Sequence, residues 1–101
     1  MNNASHWVVP ADHPALTGHF PGNPMLPGVV LLDLALQLIA EAGGIALDRC
    51  EINSVKFLSP ARPGDDLRIQ QHPSANGSIQ FEISAGERKI ANGRIVPAPR
   101  A

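Results

Sequence analysis

A chain of 101 residues falls within the range of one compact domain that buries a core of its own. With 44% hydrophobic and 17% charged residues, the composition excludes the low-hydrophobicity, high-charge signature of a disordered segment. Eight basic side chains against nine acidic ones exclude a strong electrostatic pull toward nucleic acid or an anionic membrane.

In chain order, HWVV at residues 6–9 predicts a short strand ended by Pro10. ADHPALTG, residues 11–18, predicts a turn or a single helical turn, because Pro14 and Gly18 bracket it. HFPGNPMLPG follows at residues 19–28, a loop in which Pro21, Pro24 and Pro27 each fix φ and lack an N–H, while Gly22 and Gly28 allow a close backbone approach. Such a loop holds few alternative shapes.

GVVLLDLALQLIAEAGG, residues 28–44, predicts a helix: it has no internal Pro or Gly until it closes on Gly43-Gly44, and its Leu and Ala content suits one. Between residues 29 and 41 the only polar positions are Asp33, Gln37 and Glu41, spaced i, i+4, i+8 in one stripe. The other positions are Val, Leu, Ile or Ala all round, which predicts a helix buried on nearly every side. Asp33 then faces a cleft or a subunit interface; the alternative is a solvent-facing stripe near the helix N-terminus. Gly28 and Val29 supply the first N–H groups of this helix, which have no intrahelical partner and can polarise a carbonyl oxygen as it gains negative charge.

Beyond residue 48 the pattern becomes near-alternation. INSVKFLS, DDLRIQQH, SIQFEIS and RKIANGRIV are strand-length and are separated by PARPG, PSANG and AGE, with Asn76-Gly77 as a hairpin turn. A strand, one long apolar helix and a run of antiparallel strands predict a single α+β domain over residues 1–101, with the helix on one sheet face.

The lone cysteine, Cys50, cannot form an intrachain disulfide, and MNNASHW has neither a basic nor an apolar leader region, so a cytoplasmic location is expected. The apolar run Val29–Ala40 is too short to span a bilayer, and no membrane association is expected. His6, His13 and His19 stand at no convincing ligand spacing to a cysteine or acid, so no metal site is expected. All eight Lys and Arg lie at residue 49 or later, while residues 1–48 hold four acids and no basic residue. That asymmetry reads either as an ordinary solvated strand surface or as a basic face for an acidic partner.

GHFPGNPMLPGVVLLDLALQL, Gly18–Leu38, closely resembles the active-site motif of the β-hydroxyacyl-acyl-carrier-protein dehydratases, enzymes with the hotdog fold. VKFLSPARPGDDL, Val55–Leu67, resembles a strand-turn-strand element of the same family. HPALTGHFPG with an Asp on the helix is also similar to the small thioester dehydratases of aryl polyene pathways, some of which work as paired, unlike subunits. The resemblance implies an antiparallel sheet wrapped around one long central helix, lacking the family's usual N-terminal extension.

It also implies roles. His19 would take the α-proton of a 3-hydroxyacyl thioester carried on acyl carrier protein, the Gly28 N–H would bind the thioester carbonyl, and Asp33 of a partner subunit would assist departure of the hydroxyl, giving a trans-2-enoyl thioester without a cofactor. Phe20, Pro27, Val29, Leu32 and Gln37 would touch substrate, and Leu31, Leu34 and Leu36 are further candidates for an acyl tunnel. A homodimer is implied, or a hetero-oligomer with a related dehydratase, and Arg62, Arg68 or Arg94 would dock the acidic carrier. Two other readings stay open: an accessory hotdog subunit that binds a carrier protein or a partner dehydratase, and a hotdog thioesterase.

Overall fold

The computed structural model describes residues 4–12, 16, 25–43 and 50–97. His19 and Phe20 lie outside the described residues, as do Gly44 of the predicted helix cap and most of the ADHPALTG turn.

Five strands and one helix follow in the order β1 (Ala4–Val8), α1 (Gly28–Gly43), β2 (Cys50–Phe57), β3 (Asp66–Pro73), β4 (Ile79–Ala85) and β5 (Arg88–Pro97). The predicted α+β arrangement is present. All pairings are antiparallel, and the spatial order is β1-β3-β4-β5-β2. β3, β4 and β5 are joined by tight turns. At the first of these, Gly77 takes φ +88°, and the Ser78 N–H and hydroxyl donate to Asn76 Oδ1 at 3.1 and 2.8 Å. The predicted Asn-Gly turn is therefore formed as its chemistry requires.

Alternation sets the faces. Leu67, Ile69, Ile79, Phe81, Ile83, Ala91 and Ile95 are buried and point to one side of the sheet, where Leu31, Ala35 and Ile39 of α1 join the same core. These helix residues recur every fourth position, the spacing of one helix face. In β5 two neighbours, Ile90 and Ala91, are both buried. A bulge explains this: the register shifts between Ile83 and Ser84, so β5 carries one extra residue against β4. The carbonyl of that residue, Ile90, accepts the N–H groups of Leu58 and Ser59 at 2.8 and 3.2 Å, pinning the chain as it leaves β2.

The strands start earlier than the sequence pattern predicts, at Ala4 rather than His6 and at Cys50 rather than Ile52. Both extensions are made by pairing, Ala4 with Gln70 and Cys50 with Pro97. The expectation of a helix buried on nearly every side is corrected within one chain: only Leu31, Ala35, Ile39 and Ala40 are buried, Val30, Leu32, Leu34, Leu36 and Leu38 are half-buried, and Val29 is 80% exposed. The reason is geometric. α1 packs mainly against β3 and β1, so one sheet face covers one side of the helix.

Candidate active site

Pro27, exposed, precedes α1, and its carbonyl accepts the Leu31 N–H at 3.1 Å, the first bond of the helix ladder. The N–H groups of Gly28, Val29 and Val30 come before that bond and have no acceptor within the helix. The first turn contains no acid, so no carboxylate of that turn offsets the positive end of the helix dipole. The segment leading into the helix is held to the β2–β3 connection by the Leu26 N–H, which donates to the Ala61 carbonyl at 2.8 Å. A short apolar chain thus delivers an electropositive helix end at a defined place.

Asp33 is exposed on the polar stripe, where Gln37 Nε2 donates to its Oδ2 at 2.9 Å. Glu41, the third member of the stripe, is exposed as well. Exposure in the single chain fits both a subunit interface and a solvent-facing stripe for Asp33. Five residues separate Gly28 from Asp33, about 7.5 Å along the axis and roughly 140° around it. The Gly28 N–H points out along the axis at the N-terminal end, whereas the Asp33 side chain leaves the helix further along and around it, so the two do not converge within one helix.

The other implied site residues divide. Pro27, Gly28 and Val29 sit together at the helix N-terminus, Gln37 is bonded to Asp33, and Leu32 is half-buried on the helix flank. Leu31 is part of the core. His19 and Phe20 lie outside the described residues.

One group was not assigned a role by the sequence. Beside Gly28, residues Met25, Leu26 and Leu31 together with Phe57 and the residues that follow it line an apolar recess of about 430 Å³. A Cβ built on Gly28 would stand 3.0 Å from Phe57 Cζ and 3.2 Å from both Cε atoms. The available signal was parity: Phe57 follows Val55 at the strand period and so faces the same side of β2, toward the helix layer.

The candidate carrier-docking cations lie elsewhere. Arg68 and Arg94 point to the outer face of the sheet, where Arg68 with Lys89 and Arg94 with Ser54 border two grooves of about 280 and 290 Å³ that also hold Glu82. The exposed Arg62 belongs to the β2–β3 connection, and its backbone N–H donates to Asp65 Oδ2 at 2.8 Å. No helix among the described residues is long and apolar enough to cross a membrane.

Comparison with known proteins identifies the family and the fold. A protein-family description, "ApeI-like: ApeI dehydratase", matches residues 2–94. A 3-hydroxyacyl-[acyl-carrier-protein] dehydratase FabZ of Thermomicrobium roseum is 37% identical over 89 residues, covering 77% of this chain and 55% of the relative. The chain spans about half the length of the curated relatives it matches.

Among solved structures, the dehydratase heterocomplex ApeI:P from Xenorhabdus doucetiae superposes with a TM-score of 0.75 at 23% identity, covering 95% of this chain and 86% of that one. A trans-AT PKS dehydratase domain from Brevibacillus brevis gives 0.76 at 22% identity, covering 97% and 41%. These likenesses establish the hotdog fold. With nearly its whole length matched, the chain belongs to the ApeI-like dehydratase family.

Proposed function

We propose that this protein dehydrates 3-hydroxyacyl thioesters carried on acyl carrier protein to trans-2-enoyl thioesters. The observation that carries the reading is the helix N-terminus at Gly28, unoffset by any acid in its first turn and set beside an apolar recess. A thioester carbonyl needs hydrogen-bond donors where charge develops, and an acyl chain needs an apolar wall. The names of the family and of its curated relatives support the same chemistry.

In this mechanism His19 takes a proton from the carbon next to the thioester carbonyl, and the enolate oxygen that forms is held by the Gly28 N–H. Asp33 of the partner subunit gives a proton to the 3-hydroxyl, the C–O bond breaks and water leaves. A proton then passes from His19 back to Asp33 to reset the site. Supply of Asp33 by a second copy fits its exposure and its position about 140° around the helix from Gly28.

A homodimer is supported by β2. It is an edge strand, and its Ile52 and Phe57 share a face with the buried Ile95 and Ala91 yet are 47% and 51% exposed. Among the described residues no strand pairs with the outer side of β2, and apolar groups uncovered at such an edge invite a second sheet.

The test is incubation with a 3-hydroxydecanoyl carrier-protein thioester, with the product followed by mass. Loss of one water is expected in wild type, and loss of activity by at least about 10²-fold in His19→Ala and in Asp33→Ala. Release of free acid would instead identify a thioesterase. Activity that appears only when a second dehydratase subunit is added would identify an accessory or hetero-oligomeric role.

A further inference from the structure

We infer that Phe57 is a positioning residue for the thioester, its ring walling the N-terminal end of α1 and setting the direction from which a carbonyl oxygen reaches the Gly28 N–H. The inference rests on the proposed role of Gly28. Its starting point is the contact itself: the outer edge of the ring lies against Gly28, with Cζ 3.0 Å from where a Cβ would stand. A side chain at residue 28 would press on the ring and require it to give by a few tenths of an ångström, while the φ of Gly28 is not in the left-handed region.

The placement of Phe57 is not explained by burial in the core. Phe57 is 51% exposed in the single chain, at the end of the edge strand that a second copy would cover, so its ring stands at the boundary where Asp33 of a partner subunit would enter. Its backbone is nonetheless held firmly. Phe57 pairs with Ala91, and the next residue, Leu58, donates its N–H to Ile90 at 2.8 Å. Across the recess, Leu26 is tied to Ala61 by a second backbone bond of 2.8 Å. The ring and the helix terminus are thus carried on two segments that cross-brace each other.

The chemical consequence follows from dielectric and geometry. A helix-terminal N–H open to water spends its donor on water; an aromatic ring along one side excludes water and strengthens the bond to an oxygen gaining charge. A carbonyl that can drift by about 1 Å loses on the order of 10²-fold in rate. The ring supplies the wall against which an acyl thioester is held.

The experiment compares wild type, Phe57→Ala, Phe57→Leu, Gly28→Ala and the double variant Gly28→Ala/Phe57→Ala. It measures kcat and KM for dehydration and, independently of turnover, the Kd of a saturated decanoyl-pantetheine amide by calorimetry, with thermal unfolding as a control for folding. Phe57→Ala is expected to lower kcat by about 10- to 100-fold and to weaken the amide Kd several-fold, with Phe57→Leu recovering most of both. The double variant is expected to lose less than the two single losses combined, because the added Cβ no longer meets a ring.

A Phe57→Ala protein within about twofold of wild type in Kd and kcat overturns the inference while leaving dehydration standing. Wild type that makes no enoyl product but binds the amide in a Phe57-dependent way overturns dehydration and supports the inference. Wild type that does not bind the amide overturns the inference as well.

Discussion

Gly93 lies where a strand backbone and an aromatic ring converge. A Cβ at this position would stand 2.5 Å from the Ser54 carbonyl oxygen and 2.6 Å from Phe81 Cζ, so the residue is glycine for lack of space. Phe81 is 1% exposed and cannot swing into solvent, unlike Phe57 beside Gly28. Gly93→Ala is therefore expected to lower the unfolding free energy by about 1–3 kcal/mol, read as an earlier midpoint in urea at unchanged m. Gly77 is the contrasting case: nothing lies within 4 Å of its Cβ position, but φ is +88°. Its need for glycine is local and could be read from Asn76-Gly77, whereas that of Gly93 arises only when β2 is laid against β5. The same division holds for the site. Gly28 was legible as the start of a helix after a stiff loop, but its contact with Phe57 joins residues 29 apart in sequence, and no local pattern encodes it.

Among the elements, α1 was readable from composition and its closing glycines, and β3, β4 and β5 from alternation and turn chemistry. What local patterns do not contain is how the connections are tied. Asp65, in the β2–β3 connection, accepts the Arg88 Nη2 at 2.5 Å and the Arg62 N–H at 2.8 Å through one carboxylate oxygen, while its own carbonyl accepts the Val9 N–H at 2.9 Å. Arg88 opens β5, so a single residue joins the end of β1, the connection before β3 and the start of β5. The pair is partly shielded, with side chains 39% and 21% exposed for Arg88 and Asp65. Asp65→Ala removes two charge-assisted bonds and is expected to cost about 1–3 kcal/mol, seen as a lower Tm. Asp65→Asn keeps an acceptor oxygen and should recover part of that loss.

At the scale of the whole molecule, the strand order decides which surfaces remain open. β1 and β2 flank α1 in sequence yet occupy opposite edges of the sheet, and α1 packs mainly toward the β1 and β3 side. The helix-facing side of β2 is thereby left uncovered at Ile52 and Phe57, and Leu58 beyond its end is 42% exposed. If a second copy covers this edge, Ile52→Lys will shift the mass in light scattering from dimer toward monomer at micromolar concentration. It will also reduce dehydration in parallel, because Asp33 would no longer reach its partner's site. A wild-type protein that is monomeric and fully active would remove the shared-site reading.

From the sequence alone came the α+β class, the helix with its polar stripe, the hairpins and the resemblance to the dehydratases. Each depends on residues close together in the chain, whose propensities and spacing act locally. Only the tertiary structure decided that Asp33 is exposed in the single chain, that β2 is an uncovered apolar edge, and that Phe57 rests on Gly28. Those outcomes follow from strand order and from the side of the sheet that α1 covers. They are choices among long-range pairings, set by the burial of the whole apolar surface rather than by any one segment.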